Sequence, residues 1–306
     1  MLNTMLEAVP NVSEGREAKI LDALSTACAR SLLDRHEDVD HNRSVFTLAG
    51  PGPRGAEGAV RLLAKAVAAR VDISGHKGVH PRLGALDVVP FVALGPTTAE
   101  QARSKDAAHS FARWWSSAFD VPCFMYDEAH EDARALPDVR RQAFRILPPD
   151  YGPATPHPQL GATAISSRRP LIAVNCILLS DDVQISNRIA RTMRESEGGL
   201  PGVRALSFHL NQIQRTQVSM NLFNLNKTGL EEAVLEVRAL AIAERTDVAE
   251  VELVGLIPRF ELDRCTSEFV RWSGIDVECT IEARIEHNAR GPAPGAANAT
   301  DGLIKP

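Results

Sequence analysis

Apolar positions along this chain keep two rhythms, a spacing of three to four residues in some stretches and strict alternation or short solid runs in others. Leu6 to Val9 reads as a strand, and Ile20, Leu21, Leu24 and Cys28 then predict a helix across Glu17 to Ser31. Leu32 and Leu33, then Ser44 to Leu48, form extended segments on either side of a polar turn from His36 to Arg43. A helix follows Pro53 with Val60, Leu63 and Val67 on one face. Another opens at the capping box Thr97-x-x-Glu100 and buries Phe111, Trp114, Trp115 and Ala118. Between these helices, Leu86 to Leu94 is a buried strand broken at Pro90.

The second half repeats the theme. An apolar run from Leu171 to Leu179 precedes a helix whose Ile185, Ile189 and Met193 share a face. Val203 to Asn211 and Gln217 to Asn224 form an antiparallel pair, since Val218, Met220 and Leu222 alternate with polar Gln217, Ser219 and Asn221. A capping box at Thr228-x-x-Glu231 starts a helix carrying Leu230, Val234, Val237 and Ala241, and Val248 to Leu256 closes the unit as a strand. The order strand, helix, strand, strand, helix, strand is the split ferredoxin-like arrangement, and the fold class is α+β. Ile275 to Ile285 fits two readings: its alternation suits a strand and its Glu-rich TIEARIE stretch a helix. Pro149 to Thr163, rich in Pro and Gly, reads as an interdomain linker or as a wall approaching a flat ligand through its backbone. The segment from Gly291 lacks apolar periodicity and reads as a mobile tail.

Composition narrows the function classes. The 34 basic and 39 acidic residues give a net charge of −5, without the basic field that sequence-independent nucleic-acid binding needs. No apolar run is long enough to span a membrane and no signal peptide opens the chain, so a cytoplasmic protein is expected. The 5 cysteines lie far apart without a C-x-x-C pair, which fits free thiols.

Candidate chemistry concentrates in Ser74-Gly-His-Lys-Gly-Val-His-Pro-Arg-Leu-Gly-Ala-Leu-Asp87, where histidines and cations lie among glycines just before a buried strand. His80, followed by proline and flanked by cations, suits a general acid or base, although a structural loop histidine fits the same residues. His76 and His80 have a spacing used for zinc on a helix, but Gly78 and Pro81 oppose a helix there, and no metal is expected. Asp40-His41-Asn42-Arg43 is a second polar cluster, in which Arg43 could hold a carboxylate or the whole could be turn chemistry. Asn11-Val-Ser-Glu-Gly-Arg16 resembles a capped helix start, with Ser13 or Glu14 as the cap.

Several tracts together resemble the glutamate formimidoyltransferase family, including the N-terminal module of formimidoyltransferase-cyclodeaminase. They are Val9-Pro-Asn-Val-Ser-Glu-Gly-Arg16, Asp40-His-Asn-Arg-Ser-Val45, His76 to Val88, Asp150-Tyr-Gly-Pro153, Gly161-Ala-Thr163, Gln217-Val-Ser219 and Glu252 to Pro258, in the family's order. The resemblance implies two ferredoxin-like subdomains, residues 1–168 and 169–288, with sheets facing across a ligand groove, which leaves 289–306 to the tail read from composition. It implies transfer of a formimidoyl group between tetrahydrofolate, as the 5-formimidoyl form, and L-glutamate, in histidine degradation and one-carbon metabolism, by a homodimer. His80 takes the acid–base role by that resemblance, and Gly152, Pro153, Leu160, Gly161, Ala162 and Thr163 the folate contacts. Charge and position add Arg43, Lys77, Arg82 and Asn42 as substrate-binding residues. Val79 stands where relatives commonly carry Glu, and Leu160 where many carry Trp. A divergent folate-binding paralogue without this activity, or with another acceptor, is therefore the alternative. A metal-dependent hydrolase built from His36, His41, His76 and His80 ranks last.

Overall fold

The computed structural model describes residues 5–50, 55–78, 82–95 and 97–290. In chain order the first half runs β1 (Leu6–Ala8), β2 (Asn11–Val12), α1 (Ala18–Cys28), β3 (Leu32–Asp38), β4 (Arg43–Ala49), α2 (Gly55–Ala68), β5 (Leu86–Ala93), α3 (Thr98–Phe119), β6 (Cys123–Asp127), α4 (Leu136–Gln142) and β7 (Thr163–Arg168). β1 and β2 lie in turn between β4 and β5, with β3 beyond β4, and β5, β7 and β6 continue the sheet in parallel. Ala8, Val12, Phe46, Leu48, Val89, Phe91, Met125 and Ile165 point to one face and form a core with Leu24, Val60, Leu63, Phe111 and Trp115 of α1, α2 and α3. At the far end, α4 covers the opposite face, where Val139 packs with Val88, Phe124 and Ala164.

The interruption expected at Pro90 falls instead on its partner strand. Pro90 lies inside an unbroken β5, and its carbonyl accepts the Val9 N–H at 3.1 Å. A regular ladder would require a return bond that proline cannot donate. The Val9 carbonyl is met by the Asn11 side-chain amide at 3.1 Å, and the strand divides there into β1 and β2. Asn11 thus repairs a proline-made gap. The turn expected from His36 to Arg43 is also shorter, because β3 runs on to Asp38 and puts His36 in the sheet opposite Val45.

In α3, Thr97 and Glu100 form the expected capping box, but Trp114 is half-buried beneath Arg61 and Ala118 is exposed. Pro149 to Thr163 is not a linker. Asp150 accepts the Met125 N–H at 2.7 Å, and the Tyr151 N–H reaches the Cys123 carbonyl at 3.2 Å, so the segment is laid against β6. Residues 169–171 make the crossing to the second half.

That half runs β8 (Ile172–Leu178), α5 (Val183–Met193), β9 (Val203–Leu210), β10 (Arg215–Leu222), α6 (Leu230–Ala243), β11 (Val248–Val254), α7 (Arg259–Leu262), α8 (Ser267–Ser273) and α9 (Ile281–Arg290). Its antiparallel sheet has the order β11-β8-β10-β9. Val174, Cys176, Val218, Met220 and Leu222 pack beneath Ile189, Met193, Val234 and Val237 of α5 and α6. The capping box expected at Thr228 and Glu231 does not form: Thr228 Oγ1 donates to the Pro201 carbonyl at 2.7 Å and Glu231 accepts from Thr266. Gly229 is the N-cap, its N–H meeting Glu232 at 3.4 Å.

Ile275 to Ile285 resolves mainly into a short helical turn and α9. Ile281 and Ile285, four apart on a helix, share a face that packs with Leu33 and Ala49 of the first half. Asn288 Nδ2 donates to the Leu32 carbonyl at 2.8 Å, so the last described helix returns to the first sheet.

One buried hydroxyl joins α3 to the sheet. Thr163 Oγ1 accepts from Trp115 Nε1 at 3.0 Å and donates to the Leu86 carbonyl at 2.8 Å, with both side chains fully buried. Thr163→Val keeps the shape and strands two polar groups, so urea unfolding should report a loss of about 1–3 kcal/mol.

Candidate functional site

Each sheet has its main helices over one face, and the other faces, that of the first sheet shared with α4 at its far end, bring polar side chains to one cavity. Glu7, Asn11, His36, Arg43 and Thr47 of the first sheet, and Asn175, Ser219 and Asn221 of the second, line a cavity of about 480 Å³ between them. The register explains the grouping. Asn175 stands between Ser219 and Glu252 on neighbouring strands, and Val45 between His36 and Asn11. Thr47 Oγ1 is buried without a hydrogen-bond partner among the described residues, the kind of group a polar ligand or water satisfies.

One end of the cavity is built by the β3–β4 turn. Asp38 Oδ1 accepts the His41 N–H at 2.7 Å, and Asn42 takes a positive φ of 48°. Asn42 Oδ1 accepts the Gly15 N–H at 3.0 Å, and its Nδ2 donates to the Lys77 carbonyl at 3.1 Å. Asn42 therefore ties the first glycine tract and the histidine-bearing loop to the turn. Gly15 must be glycine, because a Cβ there would lie 2.5 Å from the Arg43 nitrogen. Glu14 serves as the helix-start acceptor, taking the Arg16 and Glu17 N–H groups, whereas Ser13 Oγ reaches across to the Gly84 carbonyl. His76 Nε2 lies 3.0 Å from the Asn42 carbonyl and 2.9 Å from Arg82 Nη1. A carbonyl only accepts and a guanidinium only donates, so Nε2 makes one of these bonds at a time.

Charges at this end are paired below the wall. Asp87, fully buried, forms an ion pair with Arg140 and accepts the Leu83 N–H at 2.5 Å. Burial lowers the pKa of Arg43, with the Asp87 carboxylate acting in the opposite direction. Burial also pushes His41 below the ordinary histidine range, while Asp38, 3.5 Å away, acts against it. His41 meets Phe208 of the second sheet edge-on at 4.6 Å between ring centroids. Glu7 and Arg168 also line the cavity, and burial raises the Glu7 carboxyl to about 7, against the pull of Arg168 and with help from Glu282.

The chain matches two family models in tandem, Formiminotransferase domain, N-terminal subdomain, over residues 5–168 and Formiminotransferase domain over residues 173–285. The chain belongs to the formiminotransferase domain family. It is 34% identical over 272 residues to a glutamate formimidoyltransferase of Streptococcus pyogenes, covering 83% of this chain and 89% of that one. A second glutamate formimidoyltransferase, from Thermoplasma acidophilum, is 32% identical over 303 residues, covering 94% and 99%. The formimidoyltransferase-cyclodeaminase of Sus scrofa is 34% identical over 282 residues, and the match takes in 84% of this chain but 51% of that longer protein.

Within this formiminotransferase fold the sequence-derived residues separate. Arg43 lines the cavity, whereas Asn42 is buried as a brace behind it and Lys77 is exposed. Arg82 contacts His76. His80 lies outside the described residues, as do Val79 and Pro81. Gly152 and Pro153 are exposed, with Gly152 at a separate hollow beside Trp114 and Tyr151. Leu160, Ala162 and Thr163 are buried in the packing of the first half. Gly161 does permit a close backbone approach, and the segment that approaches is Leu83–Gly84: a Cβ on Gly161 would lie 2.3 Å from the Leu83 carbonyl. The two glycine-rich tracts are thus stitched together, Ala85 N–H to the Leu160 carbonyl at 2.9 Å and Ala162 N–H to the Leu83 carbonyl at 3.0 Å.

Sequence reasoning assigned no role to Glu7, Asn175, Arg140, Arg168 or Glu252. Apart from Arg140, which lies on α4, their available signal was a polar residue within an otherwise apolar strand. Among the described residues no group of three or more His, Cys, Asp and Glu could hold a metal ion. No described helix is long and apolar enough to cross a membrane.

Glu7 makes stability pH-dependent. Its carboxyl rises from 4.5 to about 7 on folding, so its contribution is fully present below pH 4.5 and is lost as pH climbs through 7. The loss is roughly 3 kcal/mol, at about 1.36 kcal/mol per tenfold change in proton affinity. Denaturation of wild type and Glu7→Gln across this window should show the difference between them changing by about that amount.

Proposed function

We propose that this chain transfers a formimidoyl group between tetrahydrofolate and L-glutamate, with His80 as the general acid and base. The family membership carries the reaction type, and the names of the Streptococcus and Thermoplasma relatives supply the acceptor. The cavity supports it further. Its volume of about 480 Å³ suits a small-molecule site, and Arg43, Arg168 and Arg204 in its wall suit the carboxylates that folate and glutamate both carry.

The described neighbours of His80 support its role. Gly78 lies so close to His41 that a Cβ would come within 2.3 Å of the His41 carbonyl, and Arg82 contacts His76. His41 lines the cavity together with Arg43, and Arg82 is close enough for its charge to act on Arg43. Chemically, an amine attacks the formimidoyl carbon, a tetrahedral centre forms, and the other C–N bond breaks as its nitrogen is protonated. His80 supplies that proton. Arg43 holds a substrate carboxylate, with Arg82 and Lys77 around the entrance.

The same reading makes the two halves ferredoxin-like subdomains that meet between residues 168 and 169, and makes the cavity the folate groove. The repeated order β-α-β-β-α-β and the strand order β11-β8-β10-β9 support the fold. The family boundary between 168 and 173 supports the division. The 5-formimidoyl form of the folate and assembly as a homodimer belong to the same proposal. Of the segment expected to touch folate, Gly152 and Pro153 are exposed outside this cavity, whereas Leu160, Ala162 and Thr163 are committed to packing. Cavity-facing groups for the folate itself are Asn11, Asn175 and Asn221, whose amides both donate and accept.

Purified protein supplied with N-formimidoyl-L-glutamate and tetrahydrofolate should form 5-formimidoyltetrahydrofolate. His80→Ala should lower kcat by about 10²–10⁴-fold. Binding of tetrahydrofolate without turnover would favour a folate-binding paralogue. Arg43→Ala should raise KM for the carboxylate substrate by about tenfold or more, as loss of a charge-assisted bond implies.

A further inference from the structure

Two described imidazoles line the cavity, His36 and His41, and His36 is the one that meets a carboxylate of the other sheet. His36 projects from β3 of the first sheet, and its Nε2 lies 3.5 Å from Glu252 Oε1 on β11 of the second. That nitrogen is buried and makes no hydrogen bond among the described residues. Glu252 is held by its other oxygen, which accepts from Asn175 Nδ2 at 2.7 Å, and Asn175 itself lines the cavity. A carboxylate held by Asn175, an imidazole and a cavity adjoin one another here, with members drawn from both halves of the molecule.

We propose that His36 is a second proton-transfer residue of this site, positioned by Glu252, and that it deprotonates the attacking amine. The inference rests on the transferase reading. A carboxylate 3.5 Å from Nε2 favours the tautomer with the proton on Nε2, which leaves Nδ1 as the basic nitrogen. As the amine nitrogen bonds to the formimidoyl carbon, its proton passes to His36 Nδ1. The departing nitrogen then takes a proton as the second C–N bond breaks. One N–H is lost and one is formed, so no further reactant is needed. His41 in the following turn is close enough to feel the charge of His36, and Asp38 follows on the same strand, paired with Arg43 of β4. α9 meets the opposite end of β3, at Leu32 and Leu33. Because the imidazole and the carboxylate sit on different sheets, the dyad is complete only when the two halves are closed on one another.

The test uses the full chain with N-formimidoyl-L-glutamate and tetrahydrofolate. His36→Ala should lower kcat by about 10²-fold, with KM for tetrahydrofolate within about threefold. Added imidazole should restore a substantial part of the rate, which a purely structural role would not allow. Glu252→Gln, nearly isosteric, should lower kcat by about tenfold or more while tetrahydrofolate still binds. A His36→Ala enzyme within about twofold of wild type overturns the proposal, as does a loss that imidazole leaves untouched. If His36→Ala fails to fold, an unchanged kcat in Glu252→Gln overturns it. A wild-type protein that binds tetrahydrofolate without turnover overturns the transferase reading and this inference together. A wild type that turns over with unaffected variants overturns the inference alone.

Discussion

A β-strand has two faces, and in both halves of this molecule only one of them is covered by the main helices. Everything else follows from where the second face goes. Had it been apolar, the sheets would have closed into a dry sandwich. Here the outward steps carry Glu7, Asn11, Arg43 and Thr47 on one side and Asn175, Ser219 and Asn221 on the other. Polar groups removed from water require partners, and two facing sheets with mismatched donors and acceptors retain space for a third party to supply them.

Much of this was legible in the chain. The alternation of Val218, Met220 and Leu222 with Gln217, Ser219 and Asn221 gave both the strand and its two-sided character, and the structure puts the first set in the core. The helical faces of α1, α2, α5 and α6 were equally clear, because 3.6-residue periodicity over three turns leaves little choice. The misplaced features were those decided by a neighbour. Pro90 looked like a break because a single sequence does not reveal that Asn11 compensates the missing donor. Thr228 looked like a cap, but the Pro201 carbonyl claims its hydroxyl. Ile275 to Ile285 satisfied two periods at once, and only the apolar patch of Leu33 and Ala49 selected the helix.

The site was legible unevenly, and for a related reason. Residues crowded together along the chain, such as His76, Lys77 and Arg82, stand out in any reading. The cavity wall is instead assembled from single residues on separate strands, brought together by register. His36, Asn175 and Glu252 are far apart in sequence and adjoin only when β3 comes up against β8 and β11. Gly161 illustrates the converse. It was read as bare backbone meeting a ligand, and the partner that approaches it here is Leu83–Gly84 of the same chain.

The return of α9 to the first half has a mechanical consequence. The second half is joined at its start through residues 169–171 and anchored again at its far end, where Ile281 and Ile285 settle beside Leu33 and Asn288 grips the Leu32 carbonyl. A body tethered at one point can swing in any direction. One tethered at two can only rock about the line that joins them, and such rocking parts the sheets along one rim while keeping them in register along the other.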